Sequence, residues 1–98
     1  MNVKELMVQR LLAGETIKEY KEGGNSMVPL IYSRQPVDIR PVDRVLSKGD
    51  IVFAKIGRRF YLHLISAVDG DRVQISNNHG HVNGWTNKAN VFGLVTPS

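Results

Sequence analysis

No cysteine occurs among the 98 residues, which excludes disulfide staples, thiol nucleophiles and thiolate metal sites and fits a reducing compartment. Long apolar runs are missing as well. The stretch "MNVKELMVQRLLAGE" carries Lys4, Glu5 and Arg10 inside its most hydrophobic part, whereas a membrane span needs about 20 mostly apolar residues and a leader needs an unbroken apolar centre. The expectation is a soluble, uncleaved, cytoplasmic chain, of a cell or of a phage host. Runs of one charge are equally absent. The net charge of +4 is scattered, with no basic run longer than Arg58-Arg59, so no stripe able to track a phosphate backbone is expected and nucleic acid is not the expected partner. Repeats, low-complexity segments and dividing linkers are lacking too.

What remains is an ordinary globular composition. At 42% hydrophobic and 22% charged residues, the chain is too apolar for disorder. Its length suits one domain, 1–98, able to bury about 60–65% of its unfolded surface. Asn2 followed by Glu5 resembles a capping box, and Val3, Leu6, Met7, Leu11 and Leu12 recur at spacings of three and four. These features predict a short amphipathic helix within residues 1–14, ended by Gly14. From residue 16 to 95 the pattern is β-rich. "ETIKEYKE" alternates, "PVDI" and "DRVL" are β-prone pieces between turn residues, and "IVFAKI" after "KGD" is the clearest strand. "RRFYLHLISAV" and "RVQIS" flank Asp69-Gly70 as a hairpin, and Val91 to Val95 form a last apolar strand. The stretch between them is broken by Gly80 and Gly84. The predicted fold is mostly β with one N-terminal helix.

Chemistry concentrates in "GGNSMVPLIY", residues 23–32. Glycines and asparagine account for a turn, but a serine lifted on such a turn is also one way to present a nucleophile. Ser26 needs a base, because an unassisted alcohol is a poor nucleophile at neutral pH. His63 is the candidate. It lies between Leu62 and Leu64 in a strand, so its ring faces away from both leucines, and an apolar setting keeps imidazole neutral as a general base must be. A half-buried histidine with satisfied nitrogens and a turn serine bonded to its own backbone are the alternatives. Met27 reads as an apolar plug, Lys55 as a solvated strand lysine and second choice of base, and Trp85 as a core or edge-covering residue. His79 and His81 in "HGH" lack a third ligand, so no metal is expected.

The blocks "GNSMVP", "KGDIVFAKI", "RRFYLHLISAVDGDRVQI", "SNN" and "VFGLV", in this order from about Thr16 to Val95, resemble the signal peptidase and LexA-like serine peptidase superfamily. The resemblance implies that Ser26 is the nucleophile and His63 the base, in the position where bacterial members carry lysine. A histidine at that place resembles the endoplasmic-reticulum and archaeal branch. The chain departs from that branch by Leu64 where arginine usually follows the histidine, and by Ser76-Asn77-Asn78 where a carboxylate is usual. Asn77 or Asn78 is then the candidate to orient His63, as a neutral amide does in some cysteine proteases.

The oxyanion is expected at the N–H groups of the turn that holds Gly24, Asn25 and Met27. The resemblance further implies an extended peptide or protein substrate with small side chains next to the cut, and no cofactor. Ala13-Gly14 matches the type of bond that LexA-like proteins cut in themselves, but it lies too near Ser26 to fold back easily, and a helix stop explains Gly14 better. The competing expectation is a catalytically inactive binding or assembly module, encoded by a phage or other mobile element. Sequence alone leaves the oligomeric state open.

Overall fold

Helix α1 (Val3–Leu12) begins where Asn2 Oδ1 accepts the Glu5 N–H at 2.9 Å, while Asn2 Nδ2 donates to Glu5 Oε1 at 3.2 Å. Its end is equally local: Gly14 turns left-handed at φ +89° and the Glu15 N–H reaches back to the Arg10 carbonyl at 3.0 Å. Only Met7 and Leu11 of the five apolar residues are buried, whereas Val3, Leu6 and Leu12 are exposed. Val3 shares the line of Met7 and Leu11 but stands at the exposed first residue of the helix, and for Leu6 and Leu12 the reason is angular. Met7 and Leu11 stand one turn apart on a single line, and Leu6 and Leu12 each lie about 100° to one side of it.

The computed structural model covers residues 1–98. Seven strands follow the helix: β1 (Ile17–Tyr20), β2 (Val37–Pro41), β3 (Ile51–Ile56), β4 (Arg59–Asp69), β5 (Arg72–Ser76), β6 (Val82–Asn87) and β7 (Val91–Pro97). They form one antiparallel sheet in the order β1-β2-β7-β3-β4-β5-β6. The last strand therefore enters the middle of the sheet and joins its two halves. No helix is long and apolar enough to cross a membrane.

Alternation along β3 divides the interior. Phe53 joins Met7, Leu11, Met27, Ile31, Ile39 and Leu62 beneath the helix, while Val52 and Ala54 join Ile65, Val73, Ile75 and Leu94 on the other face. Phe53 stacks on Phe60 with ring centroids 5.5 Å apart. The sheet is bent rather than flat, because single extra residues interrupt its ladders. Ser66 is the extra residue of β4 against β5, and Asn83 is the extra residue of β6 against β5. Such bulges raise the local twist and re-aim side chains.

Two segments differ from the sequence expectation. "DRVL" is no strand, because Asp50 draws that segment into a loop. Its carboxylate accepts two bonds from the Arg44 guanidinium, at 2.9 and 3.0 Å, and one from the Ser47 N–H at 2.8 Å. Burial alone favours protonating Asp50, yet these donors outweigh it and hold its pKa below the ordinary carboxylate value. Conversely, "VNGWTN" is a strand despite Gly84. That glycine adopts φ +146° where β6 curls toward β3, and a Cβ built on it lies 3.7 Å from the Ile56 side chain. The 3.7 Å separation is ordinary packing, so glycine here marks a bend at a φ that other residues rarely adopt, rather than an end.

The tightest backbone approach is at Gly93. A Cβ there would stand 2.5 Å from Ile39 Cγ2 and 3.0 Å from the Arg40 carbonyl oxygen. Gly93→Ala should cost about 1–3 kcal/mol through overpacking, measured by urea denaturation. A variant as stable as the parent would contradict this packing of β7 against β2.

Candidate active site

After Tyr20 the chain leaves the sheet and forms an irregular loop from Lys21 to Pro36. Gly24 turns at φ +100°, a conformation that favours glycine, and Ser26 follows two residues later. Met27 pins the turn. It is 4% exposed and packs with Ile31 into the core under α1, so the adjacent serine is held at the edge of an apolar anchor. The expected plug role of Met27 is what the structure contains.

His63 sits on β4 opposite Val52 of β3, with Leu62 buried on the other face. Its ring is bonded at both nitrogens: Nε2 lies 3.1 Å from Ser26 Oγ, and Nδ1 lies 2.7 Å from Asn83 Oδ1. An amide oxygen can only accept, so the proton resides on Nδ1 and Nε2 is left to accept from the serine hydroxyl. Tyr61 flanks the imidazole, with ring centroids 5.4 Å apart. Burial is the main cause that lowers the His63 pKa below its ordinary 6.5. The Asn83 bond and the Glu22 carboxylate oppose it, and His81 adds to it. Glu22 itself bonds the Tyr20 hydroxyl at 3.0 Å and faces Lys4 at 3.5 Å, rather than bonding the ring.

The orienting residue is therefore Asn83, and the assignment to Asn77 or Asn78 is corrected. Asn77 Oδ1 accepts the N–H groups of His79 and His81, both at 2.9 Å, and Asn78 Nδ2 donates to the Val28 carbonyl at 3.0 Å. Both amides are spent on loop backbone. Asn83 reaches His63 across β5 because it is the bulged residue of β6, opposite the step from Ile75 to Ser76. Its only sequence signal was an asparagine beside a glycine in a β-prone stretch.

Around Ser26, the Gly24 N–H is also corrected as an oxyanion donor, since it donates to Ser33 Oγ at 3.1 Å. The N–H groups of Asn25, Ser26 and Met27 donate to no acceptor in the chain. A cavity of about 20 Å³ opens beside Ser26, walled by Gly24, Met27, Ile31, Tyr32 and Leu62. It has room for roughly one water or methyl group.

Of the other candidates, Lys55 and Trp85 lie apart from this cluster, whereas His79 borders it. Lys55 Nζ rests over the Phe60 ring at 5.1 Å from its centre. His79 Nε2 donates to the Asn25 carbonyl at 2.9 Å, and no group of three metal-capable side chains occurs. Trp85 lies on the edge strand β6 with the Arg72 guanidinium 5.5 Å from its ring centre. Comparison with models of protein families, with curated proteins and with solved structures finds no match.

A lowered folded-state pKa has a definite sign. Between that value and 6.5 the unfolded chain binds more protons at His63, so its contribution to stability rises with pH through this window and is complete above it. An NMR titration of His63 should give a midpoint below 6.5. Asn83→Ala should lower the midpoint further, and Asn83→Asp should raise it by placing an anion on Nδ1–H. An Asn83→Asp midpoint equal to the parent's would contradict the assignment.

Proposed function

We propose that the chain is a serine endopeptidase of the signal peptidase and LexA-like kind, acting through Ser26 and His63. The observation that carries this reading is the 3.1 Å separation of Ser26 Oγ from the unprotonated Nε2 of a half-buried histidine whose other nitrogen is held at 2.7 Å by Asn83. Nucleophile, base and orienting group stand in the order that acyl transfer requires.

In the first step Ser26 Oγ bonds to a peptide carbonyl carbon as its proton passes to His63 Nε2. The carbonyl π bond opens to an oxyanion, for which the free N–H groups of Ser26 and Met27 are the available donors. Re-forming the carbonyl breaks the C–N bond, and His63 gives its proton to the leaving amine. Water then attacks the acyl-serine, losing a proton to His63, and the ester C–O bond breaks as His63 returns that proton to Ser26 Oγ.

The substrate class follows from shape. The Glu22 and Gly23 N–H groups, on the stretch leading from edge strand β1 to the nucleophile, have no acceptor within the chain, which suits an extended peptide added alongside. The small cavity beside Ser26 suits glycine or alanine next to the cut rather than a large side chain.

A fluorophosphonate should label the protein at one serine, and Ser26→Ala should abolish labelling. His63→Ala should suppress it nearly as far, with the double variant little worse than either, because residues acting as a unit are not additive. The labelling rate should rise with pH to a plateau, with its midpoint below 6.5. A folded chain that stays unlabelled at every pH would leave an inactive peptidase-like binding module as the better reading.

A further inference from the structure

The loop between β5 and β6, Asn77–His81, touches the nucleophile turn but supplies neither the nucleophile nor the base. Its contacts fall on three of the four carbonyl groups from Asn25 to Val28. His79 Nε2 donates to the Asn25 carbonyl at 2.9 Å, the Asn78 N–H to the Ser26 carbonyl at 2.8 Å, and Asn78 Nδ2 to the Val28 carbonyl at 3.0 Å. The intervening Met27 carbonyl accepts the Ile31 N–H at 3.0 Å. All four carbonyls from Asn25 to Val28 are thus bonded, while the N–H groups of Ser26 and Met27 are free.

This pattern has a geometric result. A trans peptide is planar, so the carbonyl of one residue and the N–H of the next point in opposite directions. The Asn25 carbonyl, held by His79 at 2.9 Å and by the Val28 N–H at 3.2 Å, turns the Ser26 N–H away from the loop, and drawing the Ser26 carbonyl to Asn78 does the same to the Met27 N–H. Internal bonds brace the loop so that it can hold these carbonyls. Asn77 Oδ1 ties the N–H groups of His79 and His81, and the Asn77 N–H bonds the His81 carbonyl at 2.9 Å.

We infer that Asn78 and His79 are positioning residues that aim the Ser26 and Met27 N–H groups at the oxyanion, holding the peptide planes of the nucleophile turn by their carbonyl ends. The inference rests on the peptidase reading of Ser26 and His63. It assigns a role to Asn78 and His79 of "SNNHGH", which make no bond to His63. His79 acts as a hydrogen-bond donor and not as a ligand or base, so a glutamine amide can replace part of its action.

The test compares the parent chain with His79→Ala, His79→Gln and Asn78→Ala. The readouts are the fluorophosphonate labelling rate, the thermal midpoint, the His63 titration, and the amide NMR signals of Ser26 and Met27. His79→Ala should lose about tenfold or more in labelling rate, with the His63 titration and thermal midpoint unchanged and the Ser26 and Met27 amide signals shifted. At saturating peptide substrate the loss should fall on kcat rather than KM. His79→Gln should recover part of the rate. Asn78→Ala should lose at least as much, and should it unfold, the His79 pair carries the test. Parent and His79→Ala labelling at equal rates would overturn the inference and leave the peptidase reading intact. A loss that glutamine does not relieve, or that tracks a fallen thermal midpoint, would also overturn it. An unreactive parent would overturn both readings together.

Discussion

The hydrogen bond from His63 Nδ1 to Asn83 Oδ1, 2.7 Å long, is the contact on which the proposed chemistry of Ser26 and His63 depends. It decides which ring nitrogen keeps the proton, and so whether Ser26 faces an acceptor or a competing donor. A carboxylate in the same place would fix the same tautomer and stabilise the imidazolium more strongly. The amide fixes the tautomer without adding charge, and burial is left free to hold His63 neutral. A relay ending in a neutral amide is thus suited to a base that remains unprotonated below the usual imidazole midpoint.

The sheet exists in the form that makes this contact. Asn83 and His63 belong to strands separated by β5, and in a flat sheet their side chains would stand too far apart for a direct bond, since neighbouring strands lie about 4.8 Å apart. The extra residue in β6 and the curl past Gly84 bring them together. On the other side, Met27 and Ile31 tie the serine loop into the core that α1 covers. Ser26 is positioned by apolar burial and His63 by strand register. Loop Asn77–His81 joins these two frames, linking the end of β5 to the carbonyls on either side of Ser26.

How much of this could be read from the sequence differs between elements for physical reasons. The helix, "IVFAKI" and the hairpin around Asp69-Gly70 were legible because local signals agree there: caps, alternation and a turn dipeptide. Ser26 and His63 were legible as a pair through their blocks. Asn83 was not, because a bulge is a property of two strands in register and leaves little trace in one of them. β6 was hidden for a related cause: Gly84 reads as a break unless Ile56, 28 positions earlier, is known to lie against it. Asn77 and Asn78 were placed near the site correctly by block position but given the wrong partner. Their side chains bond backbone, as most side-chain hydrogen bonds do. "DRVL" had strand composition but lost to the ion pair of Arg44 with Asp50, a tertiary contact.

The most direct test of the Ser26–His63–Asn83 relay is the tautomer of the His63 ring at neutral pH, read from the ¹⁵N shifts and two-bond couplings of its two nitrogens. The relay predicts a protonated Nδ1 and a bare Nε2, with the order lost when Asn83 is replaced by alanine. A ring protonated on Nε2 in the parent chain would contradict it, since Ser26 Oγ would then face a donor and have no base.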